Sequence, residues 1–313
     1  MSMTAEIGEL LGKLVSTETL NASPTLRRAN RIRSIYSSLA IEQNSLSLDQ
    51  VTAVISGKRI LAPPKDIREI QNAYEVYERM DQMDPFSVED LLMAHEIMTR
   101  DLVGESGTFR SGDVGVVDGE GNILHFGTLP AYVPQLVMEL LDWTEHSDLP
   151  ILIRSCVFHY EFELIHPFAD GNGRMGRLWQ TLLLCQWNPL FAWLPVESIV
   201  HDRQADYYEA INQSNEEGES TRFIEFMLEA IKSTLQEAVQ TADGSKSKMD
   251  QRWTAVNDYL RDHDFIQNAQ VRSMFRVSSA TANRILAGMC GEGKLEKIRL
   301  GRSWGYRKKQ NME

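Results

Sequence analysis

Cysteine is scarce in this sequence, and long apolar runs are missing. The three cysteines, Cys156, Cys185 and Cys290, are odd in number and widely spaced. That spacing excludes a disulfide framework and any CxxC-type zinc or redox motif. Cys156 and Cys185 fall in apolar helical context, where a thiol packs as a small hydrophobe. No stretch reaches the ~20 apolar residues that a membrane-spanning helix needs. The longest candidate, near 182–194, is broken by Gln186, Asn188 and Pro189. The first twenty residues lack the basic start and apolar stretch of a secretory signal. Internal repeats and low-complexity tracts are missing too. The expectation is a chain in a reducing, cytoplasmic setting with no membrane partner.

Positive charge is deficient overall, with a formal net charge of −12, but it is unevenly placed. Residues 249–313 carry 12 Lys/Arg against 7 Asp/Glu, and the other 248 residues carry 20 against 37. A basic tail on an acidic body points to two modules with different partners. Between them lies the small, polar stretch 241–248, which is expected to be a linker. Upstream, 3.6-residue periodicity predicts helices over Ile67–Met83, Leu91–Met98 (capped by Ser87), Val133–Glu145, Ile151–Leu164, Arg174–Gln186 and Thr221–Val239. One segment breaks the pattern. β-Branched residues in 113–117 and 122–126 flank an Asp-Gly-Glu-Gly loop, the mark of a hairpin.

The chemistry concentrates in His166-Pro167-Phe168-Ala169-Asp170-Gly171-Asn172-Gly173-Arg174-Met175-Gly176-Arg177. Pro167 disfavours helical geometry at His166 and so ends the preceding helix. Gly171 and Gly173 permit tight turns and close backbone approach. A new helix begins near Arg174, and free amides at a helix N-terminus make an anion-binding concavity. Arg174 and Arg177 lie three residues apart on one face. Two cations in a first turn oppose the helix dipole, a cost that an anion would remove. Asp170 can hold Mg²⁺ against phosphate oxygens, and a neutral His166 can take a proton from a hydroxyl. These are the parts that phosphoryl or nucleotidyl transfer needs.

The same segment matches H-x-F-x-D/E-G-N-G-R-x-x-R at every specified position, and so resembles the Fic family. The resemblance spans roughly residues 30–240. It implies a mainly α fold, with a Fic-type helical core and a β-hairpin flap. It also implies AMP transfer from ATP, with Mg²⁺, to a Ser, Thr or Tyr hydroxyl of a target protein. In that family the motif histidine, here His166, is the general base, and the acidic residue, here Asp170, is the metal ligand. Gly171, Asn172, Gly173, Arg174 and Arg177 bind the ATP phosphates. Tyr208, Ile211 and Asn215 resemble the family's adenine pocket. The hairpin 113–128 resembles the flap on which target segments dock by strand addition.

Ser38-Leu39-Ala40-Ile41-Glu42 is similar to the inhibitory S/T-x-x-x-E motif found before many Fic cores, although Gln43 stands where the family prefers Gly or Asn. The resemblance implies that Glu42 pairs with Arg177 and holds ATP in a non-productive orientation. In the tail, helices over 252–261, 268–275 and 278–290 precede strands over 294–300 and 303–307, an order that resembles a winged helix-turn-helix. Ser278, Ser279, Thr281 and Asn283 would open its third helix. Arg284, Arg299, Arg302, Arg307, Lys308 and Lys309 could touch phosphates.

The expected organisation is an N-terminal helical region over 1–100, with the inhibitory helix near 34–44. A Fic catalytic core over 101–240 follows, then the linker 241–248 and a small C-terminal winged helix-turn-helix domain over 249–313. The expected function is an autoinhibited protein adenylyltransferase. One alternative is a DNA-binding regulator with a nucleotide-sensing Fic core; another is transfer of a different phosphate-bearing group. Candidate partners are a target protein, DNA at the C-terminal domain and a second copy of the chain as a homodimer.

Overall fold

The computed structural model describes residues 2–17, 20, 23–117, 123–300 and 303–309. The chain divides into two compact units, Met1–Val239 and Gln240–Glu313. Helix dominates both, and each carries one two-stranded antiparallel sheet. No helix among the described residues is long and apolar enough to cross a membrane.

The first unit begins with α1 (Met3–Thr17), α2 (Pro24–Ile41), α3 (Leu48–Ile55), α4 (Pro64–Arg79) and α5 (Val88–Thr99). Strands β1 (Gly115–Val117) and β2 (Ile123–Phe126) follow. Next come α6 (Val133–His146), α7 (Ile151–Ile165), α8 (Asn172–Trp187), a 3₁₀ turn Pro189–Trp193, α9 (Val196–Asp202) and α10 (Gln204–Glu217). Pro24 and Pro64 open their helices, where a missing N–H costs nothing. At α5, Ser87 accepts from the Asp90 amide at 3.1 Å, as the cap signal predicts.

Helix α7 carries apolar residues around most of its circumference and buries Phe158, Phe162 and Ile165. It joins Phe168, Met175, Leu178 and Trp179 in one core with residues from α2, α4, α5 and α6. Each such large side chain contributes about 1.5–3 kcal/mol through burial. Helix α2 is fastened to this core by polar contacts. Ser34 donates to Glu197 at 2.8 Å, Ser37 and Ser198 are bonded at 3.1 Å, and Asn30 donates to the Trp193 carbonyl at 2.8 Å. Glu197 is buried, and it also accepts from Tyr77 at 3.0 Å and Thr181 at 3.3 Å.

Helix α11 runs unbroken from Thr221 to Asp262. The linker expected over 241–248 is therefore helical instead. Its one glycine, Gly244, costs only ~1 kcal/mol in a helix, and the stretch has no proline to break it. In the second unit, α12 (Asn268–Phe275), α13 (Ser279–Gly291), β3 (Leu295–Leu300) and β4 (Ser303–Lys308) enclose a small core. Val256, Ile266, Val271, Ala282, Ile285, Leu286, Met289 and Leu295 form it. The strands pair antiparallel from Leu295↔Lys308 to Leu300↔Ser303. Arg302 and the loop 118–122 lie outside the described residues.

Candidate active site

The segment 166–177 forms a tight link between α7 and α8. His166 caps α7 in the left-handed region, at φ 52° and ψ 63°. The following proline keeps it out of the helical region, and a non-glycine residue held there marks a site where structure overrides local preference. Its Nδ1 lies 3.3 Å from the Glu163 carbonyl and 4.0 Å from the Glu163 carboxylate. Gly171, at φ 91°, is the N-cap of α8, so that helix begins at Asn172. The amides of Asn172, Gly173 and Arg174 therefore form its first turn and have no acceptor among the described residues.

Asn172 also builds the loop itself. Its buried side-chain amide accepts from the Phe168 N–H and donates to the Phe168 carbonyl, both at 2.8 Å. That side chain shapes the loop, and only the main-chain N–H of Asn172 is available to an anion.

The two arginines are buried. Arg174 donates from Nη2 to Asp170 at 2.9 Å and lies 3.7 Å from Glu69. Its Nε and Nη1 are shut off from water and have no hydrogen-bond partner among the described residues, and Nη1 has only the longer ion-pair contact with Glu69. Arg177 donates from Nη2 to Glu42 at 2.6 Å and to the Ser38 carbonyl at 3.0 Å, and from Nε to the Ser38 hydroxyl at 3.1 Å. Burial alone would lower the Arg177 guanidinium, but Glu42, Tyr207 and Glu163 outweigh it and hold it above its ordinary value.

The Glu42 carboxylate lies so close over Gly173 that any β-carbon there would collide with it. An internal anion thus sits on the first turn of α8. Glu42 ends α2, and Gln43 after it has φ 65°. This left-handed turn explains why Gly or Asn suits the position. Asn44 then donates to Glu69 at 2.7 Å, so the segment after Glu42 also reaches the carboxylate beside Arg174.

Several residues that hold the site carry no motif signal. Buried His95 on α5 is stacked on Phe168, with centroids 3.7 Å apart. Its Nδ1 accepts from the Gly107 amide at 3.0 Å, so Nε2 carries the proton and donates to the Asp170 carbonyl at 3.0 Å. Burial pushes this imidazole down to about 4, which keeps it neutral. Arg110 is equally buried. It donates to the carbonyls of His166 at 2.7 Å, Gly112 at 2.8 Å and Thr128, while its amide donates to the Pro167 carbonyl at 3.0 Å. One guanidinium thereby fastens both ends of the β1–β2 hairpin to the start of the motif.

Glu163 is the third unsignalled group. Burial pushes its carboxyl up to about 7, and Oε1 has no hydrogen-bond partner among the described residues. Buried His159 pairs with Gln180 at 2.6 Å and accepts from Tyr207 at 3.1 Å, and burial pushes it down to about 3.

Tyr208, Ile211 and Asn215 share one face of α10 by spacing. Burial, then Glu42, raises the Tyr208 phenol, and Arg177 acts on it in the opposite sense. Asn215 accepts from Tyr160 at 2.8 Å. Gln204 ties α10 to the end of α2 by donating to the Ile41 carbonyl at 3.1 Å.

In the second unit, Ser278 caps α13 by accepting from the Thr281 amide at 3.2 Å. Asn268 donates to the Ser279 carbonyl at 2.9 Å and to Asn283 at 2.6 Å. Arg299 lies 5.8 Å from the Trp304 ring, and Arg307 is paired with Glu296. Arg284 and Lys308 are exposed, and the Lys309 amide donates to the Lys294 carbonyl at 3.2 Å.

Residues 85–184 match the model of the Fic/DOC family. The chain is 28% identical over 236 residues to the protein adenylyltransferase fic-1 of Caenorhabditis elegans, covering 69% of this chain and 43% of that protein. It is 29% identical over 217 residues to the protein adenylyltransferase Fic of Nematostella vectensis, covering 64% and 47%. The chain thus spans less than half the length of these curated relatives. A solved structure of a Fic family protein from Desulfovibrio desulfuricans superposes with a TM-score of 0.75 at 41% identity, covering 99% of this chain and 96% of that one. Identity at that level along nearly the whole of both chains, joined to the family match over the motif itself, places this chain in the Fic family.

Proposed function

We propose that this chain transfers the AMP moiety of ATP to a hydroxyl of a protein, and that Glu42 restrains the reaction. The observation that carries the reading is Arg174, whose buried Nε and Nη1 have no hydrogen-bond partner among the described residues, beside the three unbonded amides of a helix N-terminus. Such a set suits the phosphates of a nucleotide. Arg177 would bind the outer phosphates once Glu42 leaves it. The α10 face bearing Tyr208, Ile211 and Asn215 would receive the adenine.

In the reaction, the target oxygen forms a bond to the α-phosphorus and the α–β phosphoanhydride bond breaks. Pyrophosphate leaves, and the hydroxyl proton passes to His166. Asp170, whose carboxylate is about half exposed with one oxygen on Arg174, would hold Mg²⁺. No cluster of three metal-ligating side chains occurs among the described residues. A Mg²⁺ held by one carboxylate, waters and substrate phosphates does not need one. The ion would neutralise phosphate charge. The β1–β2 hairpin, fastened by Arg110, would offer its edge to an extended target segment.

Cys156 and Cys185, pushed by burial up to about 12, are unreactive thiols and suit a reducing cytoplasmic setting. DNA binding by the C-terminal unit, with its winged-helix order, is the weaker alternative. Arg299 and Arg307 are already engaged by Trp304 and Glu296, and Ser279 and Asn283 by Asn268.

Incubation with Mg²⁺ and ATP labelled at the α or the γ position tests the proposal. Label retained on protein from the α position alone is expected, and it should vanish in His166→Ala. Retention from the γ position would replace AMP transfer with phosphoryl transfer.

A further inference from the structure

Three arginines cluster on the N-terminal half of α2, away from the motif. Arg27 and Arg31 are one turn apart on that helix, and Arg28 is adjacent. Together with Trp193 they line an open pocket of about 280 Å³, which Ile32 and Glu78 help to close. Arg31 is only 6% exposed. Its Nη1 donates to the Tyr77 carbonyl, and its guanidinium carbon lies 4.5 Å from the Trp193 ring centroid. Its Nε is sealed from water and has no hydrogen-bond partner among the described residues. The Arg27 guanidinium is 5.2 Å from the same ring. None of the three arginines forms an ion pair with a carboxylate among the described residues.

Desolvating a guanidinium without a carboxylate partner is costly, and burial holds Arg31 below its ordinary value. Glu78 and buried Glu197 both act on Arg31, whereas Arg27 and Arg28 have no carboxylate partner among the described residues, so their two positive charges stand uncompensated. A phosphate monoester, with a charge of about −1.5 to −2 at neutral pH, balances them; a carboxylate does not. The volume lies at the small end of ligand pockets and exceeds what a bare phosphate fills.

We propose that this pocket binds a small organic phosphate, with its phosphate on Arg27, Arg28 and Arg31 and its apolar part against Trp193 and Ile32. An occupant would compete with the Tyr77 carbonyl for Arg31, one of the contacts that dock α2. Because α2 ends in Glu42, the occupant bears on the Glu42–Arg177 pair. This second half rests on the AMP-transfer reading; the binding itself does not.

Isothermal titration of the full chain with phenyl phosphate, at matched ionic strength, tests the binding. Saturable one-site binding is expected, with benzoate at least fivefold weaker. The exposed and half-exposed pair Arg27→Gln/Arg28→Gln should weaken phenyl phosphate about tenfold without touching buried Arg31, whereas Arg174→Ala should leave it unchanged. Absence of saturable binding, or binding lost in Arg174→Ala and kept in the double variant, would overturn the site.

For the regulatory half, saturating phenyl phosphate should change the rate of self-modification from α-labelled ATP severalfold, and the double variant should abolish the change. An unchanged rate in a chain that binds phenyl phosphate would overturn that half. If the Glu42→Gly chain also takes up no label, the failure belongs to the transfer reading and not to the pocket.

Discussion

Replacing Glu42 by glycine removes one short charge-assisted hydrogen bond, from Arg177 Nη2 at 2.6 Å. Such bonds contribute about 1.5–3 kcal/mol. Glu42 keeps about a third of its side chain in contact with solvent, so the lower part of that range applies, about 1.5–2 kcal/mol. At a factor of ten for each ~1.4 kcal/mol, the fraction of molecules with Arg177 open to the outer phosphates rises about ten- to thirtyfold. Arg177 keeps its two contacts with Ser38 and stays oriented. The assay is the initial rate of α-label retained on the chain at ATP well below saturation. Glu42→Gln, which keeps the shape and loses the charge, should give an intermediate rate. Adding His166→Ala to Glu42→Gly should return the rate to background. A Glu42→Gly chain that is folded, binds ATP and labels within twofold of the parent would refute the reasoning, because the site would then not be limited by the carboxylate on Arg177.

Four further outcomes follow from particular contacts. Gln43→Gly relieves a left-handed residue and should raise stability by about 1 kcal/mol in thermal denaturation, while lowering self-modification by favouring the turn that presents Glu42. Arg110→Ala frees both ends of the hairpin and should cut modification of an added target at least tenfold, with ATP affinity changed less than threefold by titration calorimetry. Arg174→Ala in the Glu42→Gly background should weaken ATP binding by about 2–3 kcal/mol, the worth of lost charge-assisted bonds, read as a roughly 30- to 150-fold rise in Kd. The Glu163 carboxyl is raised in the folded chain to about 7, from an ordinary value near 4.5, so the folded state holds its proton more tightly than the unfolded state. Its contribution is fully present below pH ~4.5 and is lost as pH rises to ~7. Glu163→Gln should therefore gain stability relative to the parent across that window and level off above it; a difference independent of pH would contradict the assignment.

The sequence made the local parts of this site readable. Pro167 and the glycines determine where α7 stops and α8 starts, and they act within a few residues. Alternating β-branched residues announce the hairpin, and Ser87 announces α5. The linker expected at 241–248 fails because small polar residues permit a break without requiring one, and α11 continues through them. Contacts across long separations were readable only where a family pattern supplied them. Glu42 and Arg177 are 135 positions apart, and an i,i+4 Ser–Glu pair on a helix says nothing alone about what it faces. His95, Glu69, Arg110 and Glu163 had no such pattern. Each is a polar residue in an ordinary helix or loop, and its part depends on a partner brought in by the fold.

The same long-range contacts explain how a first turn with two cations persists at all. Arg174 and Arg177 at the N-terminus of α8 oppose its dipole and lie buried. Three carboxylates from three places in the chain offset them: Asp170 from the motif loop, Glu69 from α4 and Glu42 from the end of α2. Asp170 takes Nη2 of Arg174 and Glu69 lies 3.7 Å from its Nη1, which leaves Nε without any polar partner among the described residues for an incoming phosphate. Arg177 differs, because its Nη2 is fully taken by Glu42 and the Ser38 carbonyl. On the proposed reading, the outer phosphates of ATP and the Glu42 carboxylate would compete for Arg177 and for the first turn beside it at Gly173. ATP affinity should accordingly depend on Glu42 through its outer phosphates. AMP, which lacks them, should bind the parent and Glu42→Gly chains with Kd values within threefold, while ATP should prefer Glu42→Gly. Equal preference for both nucleotides would show that Glu42 closes the whole site and not the end of it.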